Sequence, residues 1–272
     1  MTLSTFIAHL ISAGEQTGLS LPQVARRCLD AGISGMDVEY DEFGTRAREL
    51  EALLSAGMRV NSIPTRCDFC HGKDEDRAQR ALEKAVRYGA GQLMIIPGFL
   101  RPGDNQDACM ARCLGPMEAL VKAGARAGVE IGMEDYDHKD YPYATSQGLL
   151  YFLERIDGLS CIMDTGNFRF SNQDAWEAYG KLKPYIRGQV HCKDRAYIGR
   201  PGETAQIALD GQPLYPCAVG SGVLPMAAIV DDLLQSGFDG SFTLEFFGSA
   251  DALGDLMRSA AWFGKRMGKV RA

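Results

Sequence analysis

The chain has no apolar run of the ~20 residues that a bilayer-spanning helix needs, so no membrane span is expected. It also lacks a basic stripe. Its 29 Lys and Arg stand against 35 Asp and Glu, a net charge of −6, and the two signs are interspersed. Phosphate neutralisation dominates nucleic-acid affinity, so this balance argues against a nucleic-acid partner. It argues equally against a polybasic membrane patch. Residues 1–10 carry no positive segment of the signal-peptide kind, which makes a cytoplasmic location the expectation. The eight cysteines are then expected as reduced thiols. Histidine is scarce, with four in 272 residues.

What is present is a regular alternation. Hydrophobic residues make up 46% of the chain, enough for a sizeable core. Strands are expected within Leu3–Leu10 and at Gly35–Tyr40, Arg59–Ile63, Gln92–Ile96, Val129–Glu134, Cys161–Asp164, Ile186–His191 and Phe242–Glu245. Pro64 is read as closing the third. Helix-like segments separate them: Ser20–Leu29, Ala47–Ala56, Asp74–Tyr88, Asp107–Ala127, Gln147–Ile156, Asp174–Leu182, Met226–Ser236 and Asp251–Met267. Gly32, Gly57, Gly89 and Gly128 sit just past four of these, where glycine closes a helix.

Most strand ends lie roughly 30 residues apart, the length of a βαβ repeat. The last interval is longer and holds Tyr197–Leu224, a Gly- and Pro-rich stretch read as an extended loop. Eight strand-then-helix units predict an α/β protein, a closed (β/α)8 TIM barrel spanning 1–272 as a single domain. An open doubly wound sheet is the rival.

Four strands end on a group able to bind a metal: Glu134, Asp164, His191 and Glu245. In a closed barrel all four meet at the C-terminal face. Three carboxylates and one imidazole suit Mn²⁺ or Mg²⁺, with Zn²⁺ and Co²⁺ as alternatives. Such an ion polarises a carbonyl, and a carboxylate beside it can take a proton from the adjacent carbon. Any one of these residues alone reads as a cap or a salt-bridge partner; their joint placement points to a site.

The motifs Gly35–Glu39, Gly132–Asp135, Met163–Asn167, His191–Arg195, Gly220–Val223 and Leu244–Glu245 resemble the xylose isomerase-like barrel superfamily, in its sugar phosphate isomerase/epimerase branch. The likeness covers nearly the whole chain. It implies one divalent ion on Glu134, Asp164, His191 and Glu245. Glu134 and Glu245 would also serve as acid and base on opposite faces of a substrate carbon, through a metal-stabilised enediolate. The implied substrate is a small carbohydrate, a keto-sugar or sugar phosphate. Relatives often form dimers or tetramers, so a homo-oligomer is an open expectation.

One position departs from the pattern. Asn167 stands where many members carry a histidine that contacts substrate. Asparagine can hydrogen-bond a hydroxyl but does not titrate near neutrality, which points to a different substrate or reaction.

Lys193 and Arg195, at the barrel mouth, could hold a substrate hydroxyl, carboxylate or phosphate, or pair with Asp194. Gly220 and Gly222 lie where some barrels grip phosphate, though a tight turn explains them equally. Glu39 and His138 are further candidates for substrate contact. Tyr136, Phe99 and Phe247 could wall a pocket, with core packing the commoner role.

Three other functions compete. A dehydratase of an inosose or dehydroshikimate would use the same site. An abasic-site endonuclease would need more histidines than this chain has. A non-catalytic binding barrel would not need both glutamates. The run Cys67–His71 matches haem-attachment spacing, but an exported chain would be required. A zinc clip from Cys67, Cys70, Cys109 and Cys113 is conceivable; free thiols are the preferred reading.

Overall fold

The computed structural model describes residues 1–270. Eight parallel strands close into one barrel. They are β1 (Thr2–Phe6), β2 (Ile33–Asp37), β3 (Arg59–Arg66), β4 (Gln92–Ile96), β5 (Glu130–Glu134), β6 (Ser160–Asp164), β7 (Ile186–Lys193) and β8 (Ser241–Glu245). β1 pairs with both β2 and β8, so the sheet has no open edge. β4 and β6 are buried along their whole length. That is the expected fate of apolar parallel strands with helices outside and side chains within. Among the described residues, no helix is long and apolar enough to cross a membrane.

All eight expected units are present, with instructive shifts. β1 stops at Phe6, and a helix, Ile7–Thr17, begins at once. The apolar residues Ile7, Leu10 and Ile11 follow helical spacing on its buried face, so the strand expected within Leu3–Leu10 occupies only the first part of that stretch and starts one residue earlier, at Thr2. β3 runs through Pro64 to Arg66. The Pro64 carbonyl accepts from Tyr40 N at 2.9 Å, beyond the end of β2, where a missing N–H breaks no strand ladder. The helix after Ser20 starts with a capping box, Gln23 Oε1 accepting from Ser20 N at 2.9 Å.

The stretch Tyr197–Leu224 is more ordered than a loop. With Arg195–Ala196 it builds a small antiparallel sheet from Gln206–Ile207 and Pro213–Pro216.

The barrel axis is not wholly apolar. Ser4 Oγ meets Thr243 Oγ1 at 2.6 Å, and Gln189 Nε2 donates to Thr243 Oγ1 at 2.6 Å and also to Asp37. Asn61 Nδ2 donates to Asp37 Oδ1 at 3.0 Å. This polar layer lies under the ends of β5 to β8 and supports what they carry.

Candidate metal centre and active site

Parallel pairing fixes the heights of the four expected ligands. Asp164 is in register with His191, His191 with Thr243, and Lys193 with Glu245. One ligand atom from each of Glu134, Asp164, His191 and Glu245 lies within 4.8 Å of the others, and all four residues are buried. His191 Nδ1 is 2.5 Å from Glu134 Oε1 and 3.5 Å from Glu245 Oε2. Its Nε2 is 3.3 Å from Asp37 Oδ2, without hydrogen-bond geometry.

Asp164 is held by its own turn. Its Oδ1 accepts from Gly166 N at 2.7 Å and Asn167 N at 2.9 Å. Its Oδ2 is buried and has no hydrogen-bond partner. A buried carboxylate oxygen without a partner is costly unless something fills the place.

The electrostatics agree. Burial pushes Glu134 above the ordinary glutamate range and Asp164 well above that of aspartate. For Glu245 burial works upward too, but Lys193 and His191 together hold it below its usual value. Burial would lower His191, yet the Glu134 carboxylate and Asp37 outweigh it and hold it well up. Three carboxylates and one imidazole, crowded and dry, form a donor set that could hold a divalent cation.

Above this set opens a cavity of about 380 Å³, lined among others by Glu39, Arg66, Tyr136, Asp137, Asn167, Lys193, Arg195 and Phe247. Lys193 Nζ reaches Glu245 Oε1 and Asn167 Oδ1, both at 2.7 Å, and Asp137 Oδ2 at 3.1 Å. Arg195 Nη2 donates to Asp137 Oδ2 at 3.0 Å and Gln206 Oε1 at 2.7 Å. Asn167 Nδ2 donates to the Asp135 carbonyl at 2.6 Å. Both ends of the Asn167 amide are therefore used within the protein, and its oxygen helps to aim Lys193 into the cavity.

Glu39 is at the rim, 3.4 Å from Arg66 Nη1. His138 stands outside this group: its side chain is half exposed and lies 3.6 Å from Asp140. Of the aromatic candidates, Tyr136 and Phe247 line the cavity and Phe99 does not.

Asp194 pairs with neither Lys193 nor Arg195 through their side chains. It accepts backbone N–H groups instead, from Arg195, Gly220 and Gly222 at 2.9 Å and Leu224 at 3.3 Å. The amides of Gly220 and Gly222, candidates for gripping phosphate, are thus already bound by a carboxylate of the protein.

Three residues escaped the sequence reading. Asp37 lies beneath His191; its signal was a carboxylate in an otherwise apolar strand. Asp137 joins Lys193 to Arg195; it closes the acid-rich run Glu134–Asp137. Arg66 has no signal in the sequence, because Pro64 reads as the end of a strand that in fact runs on to Arg66.

Residues 25–266 match the family model described as xylose isomerase-like TIM barrel. No curated protein matches the chain. Among solved structures, it resembles a xylose isomerase-like TIM barrel protein from Mycobacterium smegmatis in complex with magnesium. There the identity is 18%, the TM-score 0.72, and 100% of this chain and 97% of that one are covered. A D-allulose 3-epimerase from Methylomonas sp. is 15% identical, with a TM-score of 0.72 and 98% of each chain covered. The probable 3-DHS dehydratase AsbF from Bacillus anthracis is also 15% identical, at a TM-score of 0.69, over 97% of this chain and 99% of that one.

Proposed function

This chain belongs to the xylose isomerase-like TIM barrel family, and from that premise we propose that it is a divalent-metal-dependent isomerase or epimerase of a small keto-sugar. The observation that carries the reading is the convergence of Glu134, Asp164, His191 and Glu245 within 4.8 Å, under a cavity of about 380 Å³. These four would hold the ion. The oxygen-rich set favours Mn²⁺ or Mg²⁺ over Zn²⁺ or Co²⁺, and the Mycobacterium smegmatis relative was crystallised with magnesium. Once bound, the ion supplies Lewis acidity at a substrate carbonyl and acidifies the carbon beside it.

The remaining chemistry belongs to side chains. One of Glu134 and Glu245 takes the proton from that carbon, leaving an enediolate. The other returns a proton to the opposite face, which epimerises, or to the neighbouring carbon, which isomerises. Lys193 and Arg195, tied together by Asp137, offer donors to substrate hydroxyls.

A neutral sugar suits the cavity better than a phosphorylated one. Lys193 and Arg195 share Asp137, and Arg66 is engaged by Glu39 and Tyr136. The Gly220 and Gly222 amides are bound to Asp194. A phosphate would have to displace these partners. Relatives with sugar substrates include the Methylomonas sp. enzyme, which has also been solved in complex with D-allulose.

A second reading, dehydration through the same enediolate, draws on Lys193 as a proton donor to a departing hydroxyl. Lys193 Nζ is already engaged by Glu245, Asn167 and Asp137, and the isomerase reading is preferred.

The test is proton exchange. Ion-loaded protein should wash solvent deuterium into the carbon next to the carbonyl of a keto-sugar, read by NMR over a substrate panel. Glu134→Gln and Glu245→Gln should each abolish turnover with the fold intact. Full activity in both variants would refute the assignment, and a new ultraviolet-absorbing enone would favour the dehydratase.

A further inference from the structure

The cysteine-rich segment after β3 takes no part in the site above. The eight cysteines are free thiols, and all but Cys217 are buried. A short turn, Phe69–His71, brings Cys70 and His71 against the helix Gln106–Ala127. There one ligand atom each of His71, Asp104 and Cys109 lies within 4.8 Å of the others.

The imidazole is oriented in a particular way. Nδ1 of His71 is hydrogen-bonded to the Asp68 carboxylate, while Nε2 faces Asp104 Oδ2 at 3.0 Å. A carboxylate on the far nitrogen is the usual partner of a metal-binding histidine, because it fixes the tautomer and leaves the near nitrogen free to ligate. Behind this face Cys70 Sγ and Cys113 Sγ stand 3.6 Å apart. Cys67, the remaining member of the sequence-level clip, lies by Asp74 and Arg77 instead.

We propose that His71, Asp104 and Cys109 form a second metal site selective for zinc. It is independent of the barrel centre and differs from it in kind. Thiolate and imidazole ligands select zinc, whereas the carboxylate-rich centre selects harder ions. Its place in the fold defines its role. It ties the segment after β3 to the segment after β4 and to the start of the helix Gln106–Ala127.

Cobalt distinguishes the two sites, because only a thiolate ligand produces a near-ultraviolet sulfur-to-cobalt charge-transfer band. The full chain, stripped by a chelator under a non-thiol reductant, is titrated with Co²⁺. The band should saturate by two cobalt ions per chain, one at each centre. It should persist in Asp164→Asn, which impairs the barrel centre, and saturate there at one. It should be lost in Cys109→Ser and in His71→Ala, each with wild-type circular dichroism. No band in the wild-type chain would overturn the site and leave His71 as an ion-pair latch between Asp68 and Asp104. A band that survives both ligand substitutions would overturn it as well.

Discussion

His9 makes stability depend on pH in a calculable way. It sits in the helix Ile7–Thr17, only 3% exposed. Its ring stacks on Phe246, with centroids 4.4 Å apart, and Nε2 accepts from Phe246 N at 3.1 Å. The ring is neutral when it accepts this bond. Burial, the largest cause, lowers its pKa from 6.5 to about 4. The unfolded chain therefore takes up a proton near pH 6.5 that the folded chain refuses until about pH 4. The contribution is intact above the unfolded value and is lost as pH falls through this window. The whole interval corresponds to roughly 3 kcal/mol, and about 2 kcal/mol of it is gone by pH 5. His9→Gln retains an acceptor for Phe246 N without the titration. Urea midpoints at pH 7.5 and pH 5 provide the assay, and the difference between the two proteins cancels all other titrating groups. The wild type should lose about 2 kcal/mol more than the variant. Equal losses would refute the neutral, buried state assigned to His9.

Other substitutions probe the site's supports. Lys193→Met leaves Glu245 and Asp164 without their ammonium, which should destabilise the metal-free protein by about 3–5 kcal/mol. Added Mn²⁺ should then raise the variant's Tm more than the wild type's; an equal rise would contradict the charge balance described. Asp194→Asn gives up part of a set of charge-assisted bonds to Arg195, Gly220, Gly222 and Leu224. A loss of about 2–4 kcal/mol is expected by denaturant titration. Gly132 is two residues before Glu134, and a Cβ there would meet Ile162 Cγ1 at 2.7 Å and Ser160 Oγ at 2.9 Å. Gly132→Ala should cost about 1–3 kcal/mol and weaken metal binding, measured by calorimetry, by shifting the end of β5.

Much of this was legible in the chain itself. β4 and β6 are apolar runs between clear helix signals, so periodicity placed them closely. Three of the four candidate ligands, Glu134, Asp164 and Glu245, were readable because a charge abruptly ends a strand, an unfavourable arrangement unless a site requires it; His191 lies two residues before β7 ends at Lys193, so that strand runs longer than expected. The misreadings have local causes. Ile7, Ala8 and Leu10 are apolar on a helix as they would be on a strand, and periodicity alone does not separate the two over so few residues. Pro64 looked like a stop because strand position, hidden from the sequence, decides whether its missing N–H matters. The roles of Asp37, Asp137 and Asp194 depend on contacts between distant segments. Asp194 in particular looked like a partner for its neighbours Lys193 and Arg195, yet its carboxylate faces the backbone near Gly222.

Manganese binding followed by electron paramagnetic resonance goes straight to the central claim, since the free ion's signal disappears as the ion is bound. Wild-type protein should take up one tightly held Mn²⁺ per chain, and Asp164→Asn and His191→Gln, each with an unchanged circular dichroism spectrum, should release it into solution. Wild-type protein that leaves the free signal untouched, or variants that bind as tightly as the wild type, would contradict a shared ion at the ends of β5 to β8.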